Sequence, residues 1–174
     1  MGKWNDTDEP IAFLITFRTY GTWLPGDERG SIDKYHNKYG GPRAVASEAR
    51  SGIHSARLRS EPFLLNADAR TIVEAAIKEV CKFREWYLIA LAVRTNHVHA
   101  VISGNCDSAK MLNDLKAYST RRLREASIWG QAHSPWVDKG SRRYLWTEEH
   151  VGAASNYVLN GQDGPLPEFD RVDG

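Results

Sequence analysis

The sequence predicts an α+β domain of the ferredoxin-like (split βαβ, RRM-like) class, an antiparallel sheet with helices on one face. Three observations predict it. Two stretches carry a helical apolar stripe, four shorter runs are β-branched or aromatic, and their order is strand–helix–strand–strand–helix–strand. The chain has 174 residues, 41% hydrophobic and 26% charged, which suits one globular domain. Its expected organisation is an N-terminal extension over 1–10, a single domain over 11–162 interrupted by a long loop at about 25–66, and an acidic tail over 163–174.

Ile11 to Thr19 is apolar and β-branched without a helical stripe, and reads as a buried strand. It ends at the turn signal Tyr20-Gly-Thr-Trp-Leu-Pro-Gly26. The following stretch, to about Asn66, is polar and rich in Gly, Pro, Arg and His; structureless segments of that length are usually functional or mobile. Asn66 is placed to cap a helix over about 67–85, with Ile72, Ala76, Val80 and Phe83 on one stripe. Residues 86–93 and 97–103 read as a hairpin around Arg94-Thr95-Asn96. Asp107 or Ser108 caps a second helix running to about Glu125, packed through Met111, Leu112, Leu115 and Ser119. Residues 142–146 form the last expected strand. Thr147 starts a third helix that reaches about Leu159 and ends at Asn160-Gly161.

Several function classes drop out at once. No run of about 18 apolar residues offers a transmembrane helix, and the first residues lack the apolar core of a secretory signal. Cys81 and Cys106 supply neither a disulfide framework nor a metal pair, so a reduced, cytoplasmic setting is expected. The net charge of +1, from 23 basic and 22 acidic residues, argues against broad coating of duplex nucleic acid. Yet residues 116–143 hold seven basic residues and two acids, while the tail from Asp163 holds four acids and one arginine. A narrow basic path for one nucleic-acid strand is compatible with that asymmetry.

The sharpest chemical signal is His97-Val98-His99. On a strand, residues i and i+2 share a face, so the two imidazoles project together. They fit half of a divalent-metal site, and equally a pair of sheet-face histidines bonded to neighbours. The next helix carries Tyr118 at the edge of its apolar stripe, and five basic residues against one acid between Lys110 and Arg124. Tyr118 reads either as an amphipathic ring packed on the sheet or as a nucleophile. A phenol ionises near pH 10, so attack on phosphorus needs a cation or metal beside it. Further along, Lys139, Arg142 and Arg143 lie near Trp136, Tyr144 and Trp146. Single-stranded nucleic acid is held by such cations and rings, although the tryptophans also suit a core.

Asn96-His97-Val98-His99-Ala-Val-Ile, followed by Leu115-Lys116-Ala-Tyr118-Ser, resembles the His-hydrophobic-His (HUH) single-tyrosine transposases, in particular the REP-associated tyrosine transposases and insertion-sequence relatives. Ile15-Thr-Phe-Arg18, Trp23-Leu-Pro-Gly-Asp-Glu-Arg-Gly30, Gly140-Ser-Arg-Arg-Tyr-Leu-Trp146 and Tyr157-Val-Leu-Asn-Gly-Gln162 extend the likeness over most of 11–162. The resemblance implies a bacterial-type, nucleoid-associated enzyme of DNA transposition or repeat-hairpin processing. His97 and His99 would bind Mg²⁺ or Mn²⁺, and Tyr118 would attack single-stranded DNA to leave a 5′-phosphotyrosyl enzyme. Lys116, Arg121, Arg122, Arg142 and Arg143 would contact DNA, and a homodimer is one expected form. Where relatives commonly have a glutamine ligand one helical turn after the tyrosine, this chain has Arg122, which cannot ligate a cation. The third ligand is then absent, a water or phosphate oxygen, or a side chain from elsewhere, with Asp114 the first candidate and Glu125 the second. The alternatives are a non-catalytic single-strand-binding domain on the same fold and a metal hydrolase without a covalent step.

Overall fold

The computed structural model of the chain describes residues 9–22, 60–161 and Phe169. Most of the loop expected at about 25–66, and the two ends apart from Phe169, lie outside the described residues. The elements are β1 (Ala12–Arg18), α1 (Ala67–Phe83), β2 (Tyr87–Val93), β3 (His97–Ser103), α2 (Ser108–Glu125), β4 (Ser141–Leu145) and α3 (Glu148–Asn160). The sheet order is β2-β3-β1-β4 with every pairing antiparallel. That is the split βαβ arrangement, in which β3 lies between the two strands joined through α1.

The helix starts are set by side chains that satisfy orphan backbone donors. Asn66 accepts from the Ala69 amide at 2.9 Å, Asp107 from Ala109 at 3.0 Å, and Thr147 from His150 at 3.1 Å. Helix α1 stops at Phe83, two residues before the expected end, because Glu85 turns into the left-handed region at φ 59°. There the Trp86 amide bonds back to Cys81 O at 2.8 Å.

Strand alternation divides the apolar residues between two cores. Phe13, Ile15 and Phe17 of β1, with Val98, Ala100 and Ile102 of β3, face α1 and α2 through Val73, Ile77, Val80, Met111 and Leu115. The alternate residues Ala12, Leu14 and Val101, with Leu145 of β4, face Ala154 and Val158 of α3, and Phe169 joins them. The two helices of the split βαβ units therefore share one face, as expected, and α3 adds a layer on the other. A bulge in β2 between Leu88 and Ala90 turns both Ile89 and Ala90 toward the α3 side.

Residues 131–139 are tied to the outer side of α2. Trp136 is buried, with its ring edge-on to Phe17 at 4.9 Å, and its Nε1 donates to Lys116 O and Thr120 Oγ1. Trp129 is buried as well, and its Nε1 donates to His133 O. These indoles are core anchors, and a base could not stack on them.

Candidate active site

His97 and His99 follow from the period of β3. Since Val98, Ala100 and Ile102 are drawn into the core under α1 and α2, the histidines point to the opposite face, the one that α3 partly covers. Their ring centroids are 4.8 Å apart. Val101, two residues on, is sealed beneath α3, whereas His97 at the strand's start is only half-buried.

Each imidazole is oriented by a neighbour. Asn96 Oδ1 lies 2.7 Å from His97 Nδ1, and Thr16 Oγ1, directly across on β1, lies 2.6 Å from His99 Nδ1. With the proton on Nδ1, each ring keeps the Nε2 lone pair for another partner, the arrangement typical of metal-ligating histidines. Burial pushes His99 down to about 3, helped by the positive charge of His97, Arg18 and Arg94. His99 is therefore a neutral nitrogen donor throughout the physiological range. Arg18 stands opposite His97 in the β1–β3 register, on this same face.

The tyrosine beside the pair is Tyr157. Its ring on α3 meets that of His99 edge-on, with centroids 5.5 Å apart, and it is half-buried between the buried residues Ala154 and Val158. Tyr118, the tyrosine expected to attack DNA, lies in the other helical layer. Its ring contacts Phe83 at 6.4 Å and lies under the Arg121 guanidinium at 4.7 Å, packed on the core that contains Val98. The physical reason is alternation: α2 covers the face that the histidines leave. The sequence reading missed Tyr157, although Tyr157-Val-Leu-Asn-Gly-Gln162 carried part of the resemblance.

Asp114 is also remote from the pair. Its carboxylate is bonded to Arg84 at 3.0 Å and Lys110 at 2.8 Å, on the side of α2 toward the end of α1. Among the described residues no cluster of three or more His, Cys, Asp or Glu side chains could hold a metal ion. The donors on this face are the ring nitrogens of His97 and His99, and imidazoles suit a borderline cation such as Mn²⁺ as part of its shell. Gln162 lies outside the described residues.

The five cations expected to contact DNA are scattered. Arg122 is held by Glu79 of α1 in a double contact at 2.7 and 3.0 Å, and by Glu125 at 2.8 Å. Both carboxylates raise its already high basicity. Lys116 donates to the carbonyls of Val137, Asp138 and Lys139. Arg121 stacks on Tyr118, and Arg142 donates to Ser108 Oγ at 3.2 Å. Arg143 alternates with Tyr144 to the α3 side, where its Nη1 donates to Phe169 O at 3.1 Å. Of the five, only Arg143 shares a sheet face with the histidines.

A model described as "Transposase IS200 like" matches residues 56–152. The chain belongs to the IS200-like transposase family. The matched span runs from α1 through the histidine strand to the start of α3. No curated protein matches the sequence. Two solved structures resemble this IS200-like transposase. One is from Deinococcus radiodurans R1 and is provisionally described as a transposase. It is 14% identical, with 92% of this chain and 98% of that one covered and a TM-score of 0.49. The other is a REP-associated tyrosine transposase bound to a REP hairpin, 11% identical, with 91% and 70% covered and a TM-score of 0.49. Among the described residues no helix is long and apolar enough to cross a membrane.

Proposed function

We propose that this IS200-like transposase cleaves and rejoins single-stranded DNA through Tyr157, with a divalent cation, Mg²⁺ or Mn²⁺, held by His97 and His99. The observation that carries the reading is the contact between the Tyr157 and His99 rings on the face where both histidines project. Family membership supports the chemistry class.

The bound cation would polarise a non-bridging oxygen of the scissile phosphate. Thr16 and Asn96 hold the imidazoles in one orientation, and the environment of His99 keeps it unprotonated and able to donate. Arg18, beside His97, adds positive charge to the same face, where a phosphate would rest. Attack by Tyr157 Oη forms the O–P bond and breaks the bond to the 3′ oxygen. The phenolic proton passes to solvent, and the departing 3′ oxygen takes one up. One phosphodiester replaces another, so a 3′-hydroxyl can reverse the step without ATP. In the proposed reaction the tyrosine and the histidines belong to one chain. Since the REP-associated relative was solved with a hairpin, hairpin-bearing single strands are the substrates to try first.

The test is an adduct assay. The protein is incubated with Mn²⁺ and a labelled hairpin oligonucleotide and resolved on a denaturing gel. Tyr157→Phe abolishes the covalent adduct and Tyr118→Phe retains it. An adduct that survives Tyr157→Phe and disappears in Tyr118→Phe overturns the assignment. Cleavage with no adduct in the wild-type protein points to a hydrolase, and binding alone to a non-catalytic domain.

A further inference from the structure

The turn that leads into the histidine strand is fixed from several sides. Arg94 N donates to His97 O at 2.8 Å and closes it, Leu65 N donates to Thr95 O at 2.7 Å, and both the amide and the hydroxyl of Thr19 donate to Asn96 O. Alternation along β2 sets where the Arg94 side chain starts. Ala90 and Ala92 face the α3 side, while Leu91 and Val93 face α1 and α2. Arg94 follows next in the Ala90–Ala92 row and emerges on the face where His97 and His99 project.

Other guanidiniums are already committed. Arg84 is bonded to Asp114, Arg122 to Glu79 and Glu125, Arg142 to Ser108 and Arg143 to the Phe169 carbonyl. Arg94 is exposed, and its guanidinium makes no hydrogen bond or ion pair among the described residues. It still lies close enough to act on His99. The charges that do so, those of His97, Arg18 and Arg94, are all positive. Cations gathered on one face repel one another, and an anion that settles among them relieves the repulsion. For a phosphate the match is geometric as well, since the planar guanidinium fork takes two of its oxygens at once.

We infer that Arg94 is a substrate-binding residue, whose guanidinium holds a backbone phosphate of the single strand next to the one that is cleaved. The inference deepens the single-strand DNA reading given above and rests on it. Arg18 stands directly opposite His97 within the β1–β3 ladder and serves the scissile phosphate itself. Arg94 sits farther out, at the open end of the face past the half-buried His97, where the strand continues. Because the turn is already fixed, the contact orders little beyond one side chain.

The test measures affinity for a labelled oligothymidine by anisotropy in EDTA, as a function of salt, for the wild-type protein, Arg94→Gln, Arg94→Lys and Lys78→Gln. Lys78 is an exposed cation of α1 already paired with Glu74. One phosphate contact on a single strand contributes about 0.7 to the slope of log affinity against log salt. Arg94→Gln lowers the slope by that amount and binds about fivefold more weakly at about 0.1 M salt, a difference that closes toward about 1 M. Arg94→Lys keeps the slope, and Lys78→Gln keeps both slope and affinity. Mn²⁺ affinity, titrated without DNA, does not fall in Arg94→Gln, since only a positive charge leaves the neighbourhood of the histidines. An unchanged slope in Arg94→Gln, or an equal loss in Lys78→Gln, overturns the contact. Weaker Mn²⁺ binding in Arg94→Gln assigns Arg94 to support of the histidines and overturns it as well. Binding in EDTA does not depend on cleavage, so a missing adduct counts against the covalent reading alone, and an adduct with an unchanged slope counts against this one alone.

Discussion

Replacing Thr16 by valine tests whether the histidine pair is a prepared ligand set. Valine keeps the shape and strand preference of threonine and removes the hydroxyl that lies 2.6 Å from His99 Nδ1. Only one of the two imidazoles is released, because His97 remains bonded to Asn96. Loss of a partner that orients a ligand costs about 10- to 100-fold in metal affinity. With one ring of two affected, the expectation is the lower end, a tenfold weakening, equivalent to about 1.4 kcal/mol. Folding stability should fall by about 1 kcal/mol, the net worth of one hydrogen bond. Mn²⁺ affinity is read by titration with electron paramagnetic resonance detection of the free ion, and stability by urea unfolding. Thr16→Ser, which restores a hydroxyl, should recover most of the affinity. Binding within twofold of wild type in Thr16→Val, or an equal loss in Thr16→Ser, would refute the reasoning.

Two further expectations concern the packing around α2. A Cβ built on Gly140 would sit 2.6 Å from Thr16 O and 2.9 Å from Leu112 Cδ1, and the first of these is backbone at the β1–β4 ladder. Gly140→Ala should therefore destabilise by about 1–3 kcal/mol, a fall of several degrees in Tm; an unchanged thermal transition contradicts it. Lys116 titrates near 8 in the folded chain and near 10.5 when exposed, because burial disfavours its charge. Between those values the unfolded chain binds more protons, so stability rises with pH. Relative to Lys116→Met, the wild-type protein should gain roughly 1 kcal/mol from pH 8 to pH 10.5 after allowing for partial solvation. A loss over that interval, in urea unfolding at each pH, shows that the three carbonyls outweigh burial.

The architecture was legible because each element carries its own local cause. Asn66, Asp107 and Thr147 mark helix starts through hydrogen bonds made within three residues, and His97 to Ser103 alternates visibly. The histidine pair was legible for the same reason. Tyr118 drew the sequence reading because it is far nearer to the pair in sequence, and nearness in sequence says nothing about which side of a sheet a helix covers. The information was present all the same. Val98, Ala100 and Ile102 needed the α1–α2 layer, which sent His97 and His99 to the face left for α3. The arginines failed differently. A local excess of charge on α2 shows in the sequence, but the acid that binds Arg122 is Glu79, a whole supersecondary unit upstream.

What positions Tyr157 is therefore core packing and not any feature of the tyrosine itself. It lies one residue from Val158 and three from Ala154, the two buried residues through which α3 sits on Ala12, Leu14, Val101 and Leu145. Those same strands carry Thr16 and His99 farther along. A helix only thirteen residues long gains little from its own propensity, so its placement follows from this small apolar seam and the Thr147 cap. The strand that presents the imidazoles thus also fixes the seat of the ring that meets them. A change at Val101 or Leu14 would move the hydroxyl relative to the histidines without touching either.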